Sequence, residues 1–269
     1  MRLFLRSFVL VFALCAIAAG ALAGGALAAP KNGYYVFKDF RTSASTEFRD
    51  MKGRLVSRRV TGAHRGGNAG ECTDSRHVLA SARWRGFPTY DVNVGSFPAG
   101  VSAAEGLADL NAGHAAWQGS WTTDCPNVPG TSPYRAFFGE TTDATASLAT
   151  LTLDGENVVA FRSLRGTVCD GAVACVVAFS LSGRFVEADM ALEADPTRFG
   201  DFSWTTQDRT WSEGTSGEFA VIDVGTHEWG HFAGLNHVNH SPSLTMFPFV
   251  HDGMQTLGLG DMKGLLARY

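Results

Sequence analysis

The sequence predicts a single α+β domain, and three observations carry that expectation. One early and two late stretches show helical periodicity, several short β-type runs lie between them with turn residues at their ends, and no internal repeat is present. A formal net charge of −4, 45% hydrophobic and 18% charged residues are those of a globular chain. The charge balance offers no basic patch for nucleic acid.

The elements follow in order. The opening MRLFLRSFVLVFALCAIAAGALAGGALAAP has a short basic start (Arg2, Arg6), an apolar run and the small-residue sequence Ala26-Leu27-Ala28. We read residues 1–28 as a signal peptide, cut after Ala28 in preference to Ala29, with Ala21-Leu22-Ala23 as an alternative site and an uncleaved anchor as the competing reading. No later apolar run is long enough to span a bilayer, so the expectation is a secreted or extracytoplasmic protein with no membrane contact after processing. Residues 29–70 are polar and rich in Gly and Arg with no sustained period, which suggests an N-terminal extension or pro-segment.

Residues 71–269 carry the domain. WRGFPTYDVNVG alternates as a strand does. Ser102 with Glu105 three residues later is a capping-box signal, and Leu107, Leu110, His114 and Trp117 recur at helical spacing behind it. The β-type runs YRAFFG, ENVVAFRSL, CVVAFSL and RFVEADMAL come next, then a polar Trp-bearing loop, a helix in EFAVIDVGTHEWGHFAG and a final helix in GDMKGLLARY. Cys72, Cys125, Cys169 and Cys175 remain after signal removal, an even number for an oxidising compartment. Three pairings are open. Cys169 with Cys175 across DGAVA is the most economical, leaving Cys72 for Cys125; free thiols are the alternative.

The chemistry concentrates in HEWGHFAGLNH, residues 227–237. On a helix, His227 and His231 project from one face and can share a tetrahedral cation, while Glu228 can reach a water without being a ligand. Gly234 can take positive φ and turn the chain back, so that His237 becomes the third ligand. Three neutral imidazoles leave the full charge on the metal. His64, His77, His114, His240 and His251 are better read as ordinary polar residues.

HExxHxxGxxH followed by a methionine, here Met246, is the metzincin signature. The chain most resembles the matrixins, in particular short secreted bacterial ones. VIDVGTHEWGHFAGLNH looks like their active-site helix, TMFP like their Met-turn, TLGLGDMKGLLARY like their closing helix and GRFVEADMAL like the strand before the active-site loop. The resemblance implies a zincin-like fold: a twisted mixed β-sheet with an active-site helix and a C-terminal helix. It also implies a secreted zinc endopeptidase that acts on extended polypeptides, with one zinc on His227, His231 and His237, Glu228 as general base on a zinc-bound water, and Met246 as support beneath the metal. Residues 175–181 would then be the edge strand along which substrate adds, an ordinary internal strand being the alternative.

The departures are specific. Val238 stands where matrixins place Ser, Phe247 replaces the turn tyrosine, Gly260 and Asp261 stand for the paired aspartates of the last helix, and no Pro-Arg-Cys-Gly latency motif precedes the domain. Matrixins often bind calcium, but no motif here supports it. The competing expectation is an exported zinc-binding protein whose metal site is structural or vestigial and has no proteolytic activity.

Overall fold

A computed structural model of the chain describes residues 32–39, 43–62, 70–148, 152–195, 198, 203–206, 218–249 and 253–269. The expected signal peptide, His64 and His251 lie outside them. The first described element is a surprise of the N-terminal region. In NGYYVFKD, aromatic and β-branched residues favour extended backbone, and the run forms strand β1 (Asn32–Asp39). Two further strands, β2 (Ser43–Arg49) and β3 (Leu55–Gly62), complete an antiparallel meander. The sequence reading assigned no element here, because the polar, Arg-rich surroundings masked an eight-residue run.

The remaining elements include the expected strands and helices in order, with four short strands added, one of them within the stretch expected to be a polar loop. Strands β4 (Val78–Leu79) and β5 (Thr89–Asn93) precede helix α1 (Ala103–Ala115). Ser102 caps α1 by accepting from the Glu105 N–H and donating to the Glu105 carboxylate at 2.6 Å. Then come β6 (Phe137–Thr141), β7 (Val158–Arg162), β8 (Ala174–Leu181), β9 (Arg184–Glu193), β10 (Ser203–Thr205) and β11 (Glu218–Ala220). Helix α2 (Val221–Phe232), β12 (Leu235–Asn236) and helix α3 (Leu259–Arg268) close the chain.

Eight strands form one mixed sheet in the order β3-β2-β1-β8-β9-β7-β5-β6. Strands β9, β7, β5 and β6 are parallel, and β8 turns back on β9. That turn has two residues, Ser182 and Gly183, both at positive φ, the backbone that matches the twist of a tight hairpin. With three helices, the architecture is compatible with the α+β expectation.

One expectation needs correction. Residues 175–181 were expected at a sheet edge, but β8 is paired on both sides, with β9 and, over eight residues from Asn32↔Leu181 to Asp39↔Ala174, with β1. The edge of the sheet has moved out to β3.

Strand period two sorts the core. Ala174, Val176 and Ala178 of β8 face α1 and α2, while Cys175, Val177 and Phe179 face the loops on the opposite side. Strand β1 divides in the same way, with Tyr35 and Phe37 towards the helices and Tyr34 and Val36 away from them. Two disulfides, Cys72–Cys125 and Cys169–Cys175, staple the body. No helix among the described residues is long and apolar enough to cross a membrane.

Candidate metal centre

Helix α2 is buried along nearly its whole length, because it packs between the sheet and α1. Two indoles brace it: Trp117 Nε1 donates to the Thr226 carbonyl at 2.8 Å, and Trp229 Nε1 to the Leu110 carbonyl at 2.9 Å. Gly230 has a packing reason. A Cβ there would collide with the Met246 sulfur and the Trp117 ring. The helix therefore sits directly on Met246, which is itself buried.

Gly234 ends the helix with φ +94°, a conformation costly for any side chain. The chain reverses into β12, which pairs with β4, and this short ladder delivers His237 beneath α2. Val238 is buried and donates its N–H to the Met246 carbonyl at 2.8 Å, so an apolar side chain suits that position. Asp261 of α3 secures the methionine loop from below. Its carboxylate accepts from the N–H groups of Thr245 (2.9 Å), Met246 (3.2 Å) and Gly258 (2.9 Å).

His227, His231 and His237 converge, and a fourth group meets them. Asp39, the last residue of β1, sits with Oδ1 2.6 Å from His237 Nε2 and 3.2 Å from His227 Nε2, and with Oδ2 3.5 Å from His231 Nε2. The four donor atoms lie within 4.8 Å of one another, and all four residues are buried. A tetrahedral cation with Zn–N bonds of 2.0–2.1 Å holds its donors about 3.3 Å apart, so the cluster has the dimensions of one such site.

The proton inventory supports a cation there. His227 Nδ1 lies 2.5 Å from the Thr245 carbonyl and His231 Nδ1 lies 3.0 Å from the Leu235 carbonyl. A carbonyl only accepts, so both Nδ1 atoms carry the proton and, in the neutral rings, both Nε2 atoms present lone pairs. Those lone pairs point at each other's neighbourhood: His231 Nε2 is 2.9 Å from His237 Nε2, and the Asp39 carboxylate lies across from both. Among the described residues, His227 Nε2 and Asp39 Oδ2 have no hydrogen-bond partner. Buried lone pairs facing a carboxylate are repulsive unless a cation lies between them. The group can hold a metal ion.

Ionisation follows the same logic. Burial, then the neighbouring His237, pushes His231 down to about 3, which keeps it in the neutral form a ligand needs. Burial also dominates at His237 and leaves it lowered. Burial alone would raise Asp39, but His237 and His227 outweigh it and hold its carboxyl well below the usual range.

Glu228 lies one step round α2, fully buried, and among the described residues neither carboxylate oxygen has a hydrogen-bond donor. Burial and the negative Asp39 beside it push its carboxyl well above the ordinary value. Beyond these charges opens a pocket lined by Asp39, Val173, Val224, His227, Glu228, Phe247, Pro248, Phe249 and Met254. Its wall is largely apolar, and Phe247, which replaces the tyrosine of the resembled turn, is part of it.

All four residues singled out in the sequence therefore lie together, and Asp39 is the addition. The sequence carried a faint signal for it, an aromatic strand-like run ending in an acid. Its distance along the chain, 198 residues from His237, removes any spacing rule that would link the two. Compared with protein-family models and with curated proteins, the chain matches none.

Proposed function

We propose that this chain is a secreted zinc-dependent endopeptidase of metzincin type, matrixin-like, acting on extended polypeptides. The observation that carries the reading is Glu228: a fully buried carboxylate beside the Asp39 carboxylate and three converging imidazoles, with no N–H or O–H donor on either oxygen among the described residues. A site that only binds metal has no use for it, and its burial is costly. The four parallel strands with antiparallel β8 beside α2 support the zincin-like fold. Paired disulfides support export.

His227, His231 and His237 would hold the zinc, an ion that imidazole ligands suit. Bound there, it supplies Lewis acidity, lowering the pKa of water towards about 7 and polarising a carbonyl. The Thr245 and Leu235 carbonyls fix the rings of His227 and His231 so that Nε2 points inward. Ionised by the charge of a cation held beside it, Glu228 would take the proton of the attacking water and pass it to the leaving amine. The largely apolar pocket beside His227 and Glu228 borders the position of the scissile bond.

Glu228→Ala should keep about one zinc per chain and lose chelator-sensitive casein cleavage by about 10²–10⁴-fold. The assay is run on secreted material before and after limited trypsin treatment. Cleavage at the wild-type rate by that variant would sink the assigned mechanism.

One observation favours a second reading, an exported metal-binding protein without activity. Asp39 gives the centre four protein ligands, and structural zinc sites are closed in this way whereas catalytic sites keep a position open. Tightly held zinc with no cleavage of any unfolded substrate, in any processed form, would select it.

A further inference from the structure

The β2–β3 hairpin carries a charge opposite to that of the whole chain. Residues 43–62 hold Arg49, Lys52, Arg54, Arg58 and Arg59 against Glu47 and Asp50, five positive charges to two negative, in a chain of formal net charge −4. The turn is built from its own polar groups. The Asp50 carboxylate accepts the N–H groups of Lys52 (2.9 Å) and Arg54 (3.0 Å), and the Arg54 guanidinium returns an ion pair to it.

That tip displays aliphatic side chains. Met51 is 49% exposed, Leu55 50% and Val56 45%, three within six residues. The hairpin meets the core through other residues, the buried Ala44 and Phe48. A bulge opposite Arg49 leaves Val56 as an extra residue beside Leu55. Single apolar residues on a surface are ordinary, whereas a cluster on the outermost strand, bordered by cations, marks a contact surface. The cations are ordered along the hairpin. Lys52 and Arg54 lie at the tip, on stems long enough to carry their charges back from it. Arg58 and Arg59 follow two and three residues behind Val56, about 7–10 Å further back at strand rise. Arg58 is half exposed and approaches Glu47 only to 3.6 Å.

The chemistry of the partner follows from that order. A nucleic acid or an acidic polysaccharide offers anions without apolar volume, and an apolar protein groove offers the reverse. An anionic bilayer offers both, a phosphate-bearing layer several ångströms deep over an acyl boundary. We propose that the β2–β3 tip docks the chain on an anionic lipid surface: Met51, Leu55 and Val56 enter the acyl boundary, and Lys52, Arg58 and Arg59 meet headgroup phosphates. Such docking does not depend on the peptidase reading, and it replaces the expectation of no membrane contact after processing. The metal group takes no part. The β1–β2 ladder places Arg49 beside Tyr34 and Ala44 beside Asp39, so about five strand residues, or about 17 Å, separate the tip from the histidines.

In the test, the processed chain beginning at Ala29, which lacks the apolar opening run, is sedimented with two kinds of vesicle. One is phosphatidylcholine alone, and the other contains phosphatidylglycerol as about one third of the lipid. Partition onto the anionic vesicles should be at least about tenfold stronger and should weaken as added salt screens the cations. Met51→Ser, Leu55→Ser and Val56→Ser combined leave every charge in place and should lower it about tenfold. Lys52→Glu with Arg58→Glu should abolish it. All five side chains are exposed, so urea midpoints should stay near wild type. A Met51→Cys chain labelled with an environment-sensitive dye should shift its emission to the blue on the anionic vesicles alone, with the other tip residues unchanged. Equal sedimentation with both kinds of vesicle, or an unshifted dye, would overturn the proposal. Binding lost in the charge variant yet intact in the serine variant would also overturn it, in favour of an electrostatic patch for an anionic polymer.

Discussion

Three side chains of the candidate metal group come from residues 227–237 and the fourth from residue 39, and the two regions are fastened by different means. Around α2 the fastening is core packing and buried backbone hydrogen bonds: Trp229 and Phe232 are fully buried, indoles cap two carbonyls, and Asp261 ties down the methionine loop. Around β1 a strand ladder carries Tyr35, Phe37 and Phe48 into the same core, joined by an ion cluster of Glu47 with Lys38 and Arg49 and a few hydroxyl contacts. The outer strand β3 is exposed at Leu55 and Val56. The difference teaches which part of the centre belongs to the rigid scaffold and which part is held against it.

Metal affinity gives the largest expected contrast. His231→Ala should weaken Zn²⁺ binding by more than about 100-fold, because it removes a ligand that its own carbonyl partner orients. Asp39→Ala should weaken it clearly less, since three imidazoles remain. Competition titration against a chromogenic chelator reads both, and equal losses would erase the distinction between the two regions.

Stability comes next. Asp261→Ala leaves the Thr245, Met246 and Gly258 N–H groups unpaired in the interior, at a cost of about 3 kcal/mol in urea unfolding. Glu47→Gln should cost only about 1 kcal/mol, because its ion pairs include partly exposed arginines. A reversed order would mean that the N-terminal strands, not the α2 region, limit global unfolding.

Acid should separate the two regions with a smaller effect. Burial alone would raise the Glu47 carboxyl, but hydrogen bonds from Arg49 and Lys38 outweigh it and leave it lowered from 4.5. A lowered carboxyl contributes stability that is present above its unfolded value and is lost as pH falls through the folded one. Asp261 is raised, chiefly by burial, so its contribution is present below its unfolded value of 3.8 and is lost as pH rises through the folded one. Between pH 5 and pH 3, amide exchange corrected for intrinsic rates should accelerate in β2 and β3 relative to α2. Uniform acceleration would argue that the two regions open as one unit.

The α2 half of the centre was legible in the sequence because its determinants are local. Helical spacing fixes the relation of His227 to His231, Gly234 supplies the positive φ that turns the chain, and Ser102 with Glu105 marks the start of α1 within four residues. The short DGAVA loop made Cys169–Cys175 readable for the same reason. Asp261 was visible only as a departure from a family pattern. Its hydrogen bonds reach residues 245 and 246 across a loop, and no local rule links them.

The sequence by itself determined the histidine spacing of residues 227–237, the short Cys169–Cys175 loop and the helices α1, α2 and α3, since each depends on neighbours within a few turns. Only the tertiary structure decided that β8 has two partners, that Asp39 meets His237 and that Met246 supports Gly230. Those contacts depend on which strands pair and in what register. A shift of β1 by a single residue along β8 would turn Asp39 to the opposite face of the sheet.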